Sequence, residues 1–256
     1  MKSVKQYVVA ANKPLGSRFS ELELVPVDGA LSAPRPGQFV QVDVDTPGVF
    51  LRRPISVNRF NGETGAVYLL VRNAGRGTEA LCHAPVGRQF SLMGPLGNGF
   101  SVEGVTRPLL VGGGVGTAPM AALAEKFVAD GITPCLLQGA RSSGDVLQAQ
   151  LFEQLGAFHV ATDDGTQGFH GLVADHPVLR DGVFDMIYVC GPLPMMRAVA
   201  RVAHARGIPC RVSLENKMAC GVGACLCCVE KTASGNLCAC TSGPVFNTES
   251  LLWNLN

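Results

Sequence analysis

The apolar positions change their period twice along the chain. Over the first hundred residues they fall in short blocks, some alternating with polar positions: "SELELVPV", "PGQFVQVDV", "PISVNRF" and "GAVYLLVRN". Turn-forming stretches such as "VDGA", "NGET" and "NAGRG" separate these blocks, the pattern of strands joined by tight turns. No helical period of useful length competes. Residues 1–101 are therefore expected to form a small antiparallel β-barrel.

From Pro108 the pattern is mixed. "RPLLVGGGVG" reads as a buried strand running into a glycine turn. In "TAPMAALAEKFVADG", Met120, Leu123, Ala124 and Phe127 share one helical face. Strand "CLLQGA", helix "SGDVLQAQLFEQLG", strand "FHVATDD", strand "MIYVCGP" and helix "LPMMRAVARVAHARG" follow. This alternation predicts an α/β domain with a parallel sheet over residues 102–212. After "GIPCRVSLE" it stops. Residues 213–256 are Cys- and Gly-rich and too few for an ordinary core, so a third, small domain held by a metal is expected there.

Composition narrows the function. Hydrophobic content of 47% against 16% charged permits a large core. A net charge of +1 with no basic stripe, and few aromatic residues, argue against a nucleic-acid partner. The N-terminus lacks an apolar run of signal-peptide length, and no run reaches the roughly 18 apolar residues of a membrane span. A cytoplasmic protein with no membrane segment is expected. In that reducing compartment, clustered cysteines favour a metal or redox centre over disulfides.

Six of the ten cysteines lie in "CGVGACLCCVEKTASGNLCAC", residues 220–240. Cys220-x4-Cys225-x2-Cys228 is the opening of plant-type [2Fe–2S] spacing, which takes a distant fourth cysteine. Gly221 and Gly223 allow the x4 loop to fold round a cluster and aim its amides at sulfur. Zinc sites of four cysteines more often use Cys-x2-Cys pairs at both ends. Cys227 is spare on this spacing. Cys238 and Cys240 both suit the fourth place, and spacing does not choose between them.

Three glycine-containing loops fall after apolar strands: "GGGVGTAP" with Gly112, Gly113, Gly114 and Gly116, "TDDGTQG", and "VCGPLPM". Strand ends of an open parallel sheet form the usual ligand edge, and glycine amides before a helix suit a phosphate. The spacing is not that of the GxGxxG fingerprint. Asp163 and Asp164 suit a solvated turn, and Cys190 a core thiol. In the barrel segment, Arg53 of "RRPIS" offers a fork for a diphosphate, and Gly77 and Thr78 of "NAGRGTEAL" offer amides and a hydroxyl.

Taken together, these motifs resemble the ferredoxin–NADP reductase superfamily. More narrowly, they resemble the electron-transfer subunits of two-subunit, NAD-dependent (class 1B) dihydroorotate dehydrogenases. The resemblance covers nearly the whole chain: "PGQF", "RPIS", "LVR", "GT", "GPLGNGF", "GGGVGTAP", "CGPLPM", "SLENKMACGVGACLCC" and "CTSGPVF". It implies that the barrel binds FAD, with Arg53 on the diphosphate and Ser56 near the flavin ring in the run Arg53, Pro54, Ile55, Ser56. It further implies FAD contacts from Leu70, Val71 and Arg72, and diphosphate amides at Gly77 and Thr78. Gly114, Gly116 and Cys190 are implied near NAD(H). The fourth cluster ligand becomes Cys240, placed by "CTSGP", beside Cys220, Cys225 and Cys228.

The implied function is an electron relay through FAD and [2Fe–2S] between NAD and a partner. That partner is an FMN-containing dihydroorotate dehydrogenase catalytic subunit of pyrimidine biosynthesis, with two copies of each subunit. No side chain of this chain is expected to act as a catalytic acid or base. Related subunits of ferredoxin:NAD(P)H transhydrogenases and sulfide dehydrogenases are the alternative within the same class. A zinc-held sensing module is the alternative outside it. Arg141 and Ser142 against Asp145 leave NAD or NADP open on residues alone, and the resemblance implies NAD.

Overall fold

The computed structural model describes residues 2–255. Its described residues divide into two compact units: residues 2–99 with 216–230 and 237–244, and residues 100–215 with 231–236 and 245–255. The segment 213–256, expected as a domain of its own, is shared between them. It is too short to bury a core alone and is packed where larger elements supply one.

The first unit is a closed six-stranded barrel. Its strands are β1 (Ser3–Leu15), β2 (Phe19–Pro26), β3 (Phe39–Asp43), β4 (Arg53–Phe60), β5 (Val67–Arg72) and β6 (Gln89–Leu96). The order around the barrel is β1-β2-β5-β4-β3-β6, and all neighbours pair antiparallel. The two-residue period selects the filling: Tyr7, Val9, Leu22, Leu24, Val40, Val42, Leu69, Val71, Phe90 and Leu92 form one buried core. Between β5 and β6 lies α1 (Arg76–Cys82), whose Leu81 joins that core.

On β3, Val40 and Val42 fill the barrel, so Phe39 and Gln41 project to its other face. That face is also covered. A Cβ built on Gly97 would lie 2.5 Å from Pro244 and 3.1 Å from Phe39. The Asn98 backbone N–H donates to the Gly243 carbonyl at 2.6 Å, and its side-chain amide to the Ser242 carbonyl at 2.9 Å. The end of the cysteine-rich segment is thus fastened to the stretch leaving β6.

The second unit is an α/β layer. Its strands are β7 (Pro108–Gly113), β8 (Cys135–Ala140), β9 (Ala157–Thr162), β10 (Phe169–His170), β11 (Met186–Cys190) and β12 (Cys210–Ser213). Its helices are α2 (Ala118–Ala129), α3 (Ala149–Leu155), α4 (Pro177–Asp181) and α5 (Leu193–Ala205). A hairpin of β13 (Val229–Thr232) and β14 (Gly235–Cys238) follows, and then β15 (Val245–Asn247). The sheet order is β10-β9-β8-β7-β11-β12-β15. All pairs are parallel except β15, which closes the edge antiparallel to β12. The predicted face of α2 is buried: Met120, Leu123, Ala124 and Phe127 pack with Leu110, Leu136 and Tyr188. The chain leaves β7 towards β8 on one side, while β11 lies on the other. The strand order therefore reverses between β7 and β11, which creates a crevice at their C-terminal ends.

Candidate functional site

The cysteine loop folds as its glycines require. Gly221 and Gly223 have φ of +72° and +86°, and Leu226 joins them at +56°. This curl turns backbone N–H groups inward. Val222 and Cys225 both donate to the Cys220 sulfur at 3.4 Å, and Cys240 donates to the Cys228 sulfur at 3.4 Å. The two N–H donors pull the Cys220 thiol down to about 6, since hydrogen bonds to a thiolate favour the charged form. Cys228 and Cys240 are buried, Cys220 is half-buried and Cys225 exposed. Burial first, and then the neighbouring Cys228, push the Cys240 thiol up to about 12.

The four thiols proposed as ligands stand as two contacting pairs, 220 with 225 and 228 with 240. Among the described residues, no three Cys, His, Asp or Glu are gathered round a point suited to a single metal ion. Soft sulfur donors with inward amides suit an iron–sulfur group. Cys227 is exposed. Cys238 is half-buried, and burial and the Cys228 sulfur raise its thiol.

A second constellation lies on the barrel. The β4–β5 ladder ends at the pair Val57–Leu69, yet β4 extends back to Arg53 and β5 on to Arg72. Arg53–Ser56 and Leu70–Arg72 therefore flank a gap where the two strands diverge. Leu70 and Val71 have buried side chains, so it is their backbone that borders this gap. Beside it is a cleft of about 500 Å³ lined by Gly48, Phe50, Leu51, Arg53 and Ala74–Thr78. A Cβ on Gly77 would lie 2.8 Å from Arg53 Cδ, so only glycine lets the loop and the arginine approach so closely. The Arg53 guanidinium donates to the Leu51 carbonyl through Nε and Nη2 at 3.1 and 2.7 Å. The Thr78 hydroxyl accepts from the Ala74 N–H and donates to the Gly75 carbonyl, which leaves its amide rather than its hydroxyl for a ligand. Gly48, Phe50, Gly75 and Arg76 were not anticipated. Only the loop "NAGRG" carried a signal for two of them.

The third constellation is the crevice between β7 and β11, where the glycines divide by task. Gly114 has φ +54° and open space where a side chain would stand. Gly116 is packed: a Cβ there would meet the Cys190 carbonyl at 2.5 Å. Gly113 leaves room for Met195, 2.4 Å from its would-be Cβ. Cys190 ends β11 and is buried, and burial holds its thiol well above the ordinary range. It is a neutral core thiol against Ser213, so any contact with a nucleotide would run through its backbone. Asp164 receives hydrogen bonds from the Thr166 amide and hydroxyl, which makes it the turn residue of its loop.

A barrel with a diphosphate cleft, an α/β unit with an open glycine crevice and an inward-facing thiol loop define a class: reductases of the FAD/NAD-binding fold with an iron–sulfur module. Comparison with known proteins narrows this. Residues 215–252 match the iron–sulfur cluster binding domain of dihydroorotate dehydrogenase B, and residues 110–201 match an oxidoreductase NAD-binding domain. The chain is 41% identical over 221 residues to the dihydroorotate dehydrogenase B (NAD(+)) electron transfer subunit of Shouchella clausii, covering 83% of this chain and 84% of that one. It is 38% identical over 253 residues to that of Bacillus caldolyticus, covering 94% and 96%. Among solved structures, an NADH-dependent reduced ferredoxin-NADP oxidoreductase superposes with a TM-score of 0.88 at 28% identity, over 96% of this chain and 90% of the other. The FAD/NAD-binding domain of nitric oxide dioxygenase from Vibrio cholerae superposes at 0.69 with 22% identity, over 80% and 94%, and shares the fold. The chain belongs to the family of dihydroorotate dehydrogenase B (NAD(+)) electron transfer subunits and is an oxidoreductase subunit. No helix among the described residues is long and apolar enough to cross a membrane.

Proposed function

We propose that this chain relays electrons between NAD(H) and an FMN-bearing dihydroorotate dehydrogenase catalytic subunit, assembled with two copies of each, in the cytoplasm. The observation that carries the reading is the thiol loop. Its glycine curl gives two amide donors to Cys220 and one to Cys228, an environment made for anionic sulfur. When bound, FAD supplies hydride exchange with NAD(H), and the [2Fe–2S] centre supplies one-electron transfer to the partner.

The protein's own work is position and polarity. Cys220, Cys225, Cys228 and Cys240 hold the cluster. Arg53 turns its guanidinium from the Leu51 carbonyl to a diphosphate, with the Gly77 and Thr78 amides opposite. Pro54, Ile55, Ser56 and the backbone of Leu70, Val71 and Arg72 border the flavin slot. Gly114 leaves an open approach for the nucleotide, and Gly116 and Cys190 hold the crevice in shape. No side chain exchanges a proton with substrate. Val222, Cys225, Leu226 and Cys227 are exposed round the loop, and this rim is the edge offered to the partner.

The higher identity to dihydroorotate dehydrogenase subunits favours this reading over a transhydrogenase role. The test is an anaerobic absorbance spectrum of the purified protein with iron and flavin counts, repeated after NADH. Two irons and one FAD per chain, with both chromophores bleached by NADH, are expected. A colourless protein with one zinc would overturn the reading.

A further inference from the structure

Gln41 is an unexplained polar residue. It sits mid-strand on β3, inside the run Phe39–Asp43, and is 0% exposed. Neither its Nε2 nor its Oε1 has a hydrogen-bond partner. Buried amides are nearly always partnered, because an unmet donor and acceptor cost the desolvation of both. An apolar residue would fill the position without that cost, as Val40 and Val42 do on the inner face.

The surroundings show what the amide is for. Gln41 does not face the barrel core. It faces the cysteine loop. A Cβ built on Gly221 would lie 2.9 Å from Gln41 Cγ, 2.9 Å from Gln41 Nε2 and 3.1 Å from Leu96 Cδ1. The NH2 end of the amide therefore lies against the residue that follows Cys220. The glycine is required twice there, by its φ of +72° and by the closeness of Gln41. The hydrogen bonds to the Cys220 sulfur come from backbone N–H groups of the loop itself. Gln41 brings a side-chain donor from a different element, held by the barrel rather than by the loop.

We propose that Gln41 donates a hydrogen bond from Nε2 to sulfur on the Cys220 side of the iron–sulfur cluster and thereby raises its reduction potential. The inference rests on the reading of Cys220, Cys225, Cys228 and Cys240 as ligands. Reduction adds one negative charge to the cluster, and a donor aimed at sulfur stabilises the more negative state. Nε2 can serve, since thiolate and sulfide only accept. The residue is a positioning and tuning group, not a catalytic one. It also gives the buried Nε2 an acceptor.

The test uses the full chain with its cofactors. Gln41→Met keeps length and packing and removes the donor. Gln41→Glu keeps shape and replaces the donor with a carboxylate. In both, iron content and the EPR signal of a reduced [2Fe–2S] centre are measured first, and then the cluster midpoint by EPR-monitored redox titration, with the FAD midpoint as internal control. The expected result is two irons retained, an unmoved FAD midpoint and a cluster midpoint lowered in Gln41→Met. The expected shift corresponds to about a tenfold weaker reduction equilibrium, about 59 mV for one electron, with a larger drop in Gln41→Glu. An unchanged cluster midpoint in Gln41→Met overturns the proposal.

A measurement on the unsubstituted protein guards against variants that fail to fold. With glutamine side chains labelled with 15N, pulsed EPR should show a 15N coupling to the reduced cluster. Its absence, with backbone 14N couplings present, overturns the proposal as well. If the unsubstituted protein loads no [2Fe–2S] centre at all, it is the ligand reading that fails, and Gln41 with it.

Discussion

At the residue scale, the question left by the sequence was which distal cysteine closes the cluster site. Both thiols approach the Cys228 sulfur, but Cys240 is buried and adds its backbone N–H to that sulfur, while Cys238 is half-buried and offers its thiol alone. Cys240→Ser is expected to lose most of the bound iron, and Cys238→Ser and Cys227→Ser to keep it, read by iron counts and visible absorbance. Arg53→Ala should weaken FAD binding by about 1.5–3 kcal/mol, the contribution of hydrogen bonds to a charged group. Flavin retained on dialysis, compared with the unsubstituted protein, checks it. The motif glycines were legible as glycines, but not their separate tasks. Gly114 is open and Gly116 is packed on the Cys190 carbonyl, a distinction that depends on a strand 74 positions further along (190 minus 116). The outward position of Gln41 reads from the sequence as an ordinary polar alternation. Its burial comes from a loop at residue 221 and could not be seen locally.

At the element scale, the strong periods were legible and the short elements were not. Strands β2 to β5 and helices α2 and α5 lie where the apolar pattern puts them. Helix α1 begins inside the stretch whose pattern predicts a turn, because seven residues opening on Arg-Gly give too little period to recognise. The helix expected over "SGDVLQAQLFEQLG" is shorter, Ala149–Leu155, after a 3-10 turn at Ser143–Asp145. Gln148 has a left-handed φ of +54° that stops the helix from starting earlier. Strand β15 completes the sheet with three residues, too few to carry an alternation of their own.

Two predictions belong at this scale. Gly116→Ala forces a methyl against the carbonyl that ends β11, and should lower stability by about 1–3 kcal/mol, as overpacking does, measured by urea unfolding. Asp185, just before β11, accepts from the Thr106 N–H and hydroxyl and the Arg107 N–H at 2.8, 2.7 and 2.9 Å. Burial raises its carboxyl, but these hydrogen bonds outweigh it, and the net pKa lies below the ordinary value. A carboxyl depressed on folding stabilises above its unfolded pKa, and that stability is lost as pH falls through the folded value. Asp185→Asn should therefore flatten the acid side of the stability–pH curve and leave the alkaline side parallel to the original.

At the scale of the whole molecule, the three-part division along the chain does not match its compact units. The cysteine loop and its closing segment are built with the barrel, fastened at Gly97, Asn98 and Gly221. The barrel that carries the flavin motif also carries the cluster loop, so both proposed electron carriers belong to one compact unit. Family membership was legible because the glycine, proline and cysteine motifs are short, local runs that can be read without knowing how the strands between them pair. The central claim is the relay, and the most direct test is Cys225→Ser in complex with the catalytic partner under anaerobic conditions. The visible cluster should disappear, NADH should still reduce the flavin of this chain at close to the normal rate, and electron transfer between the two subunits should fall to background. Transfer at the normal rate without the cluster would contradict the account.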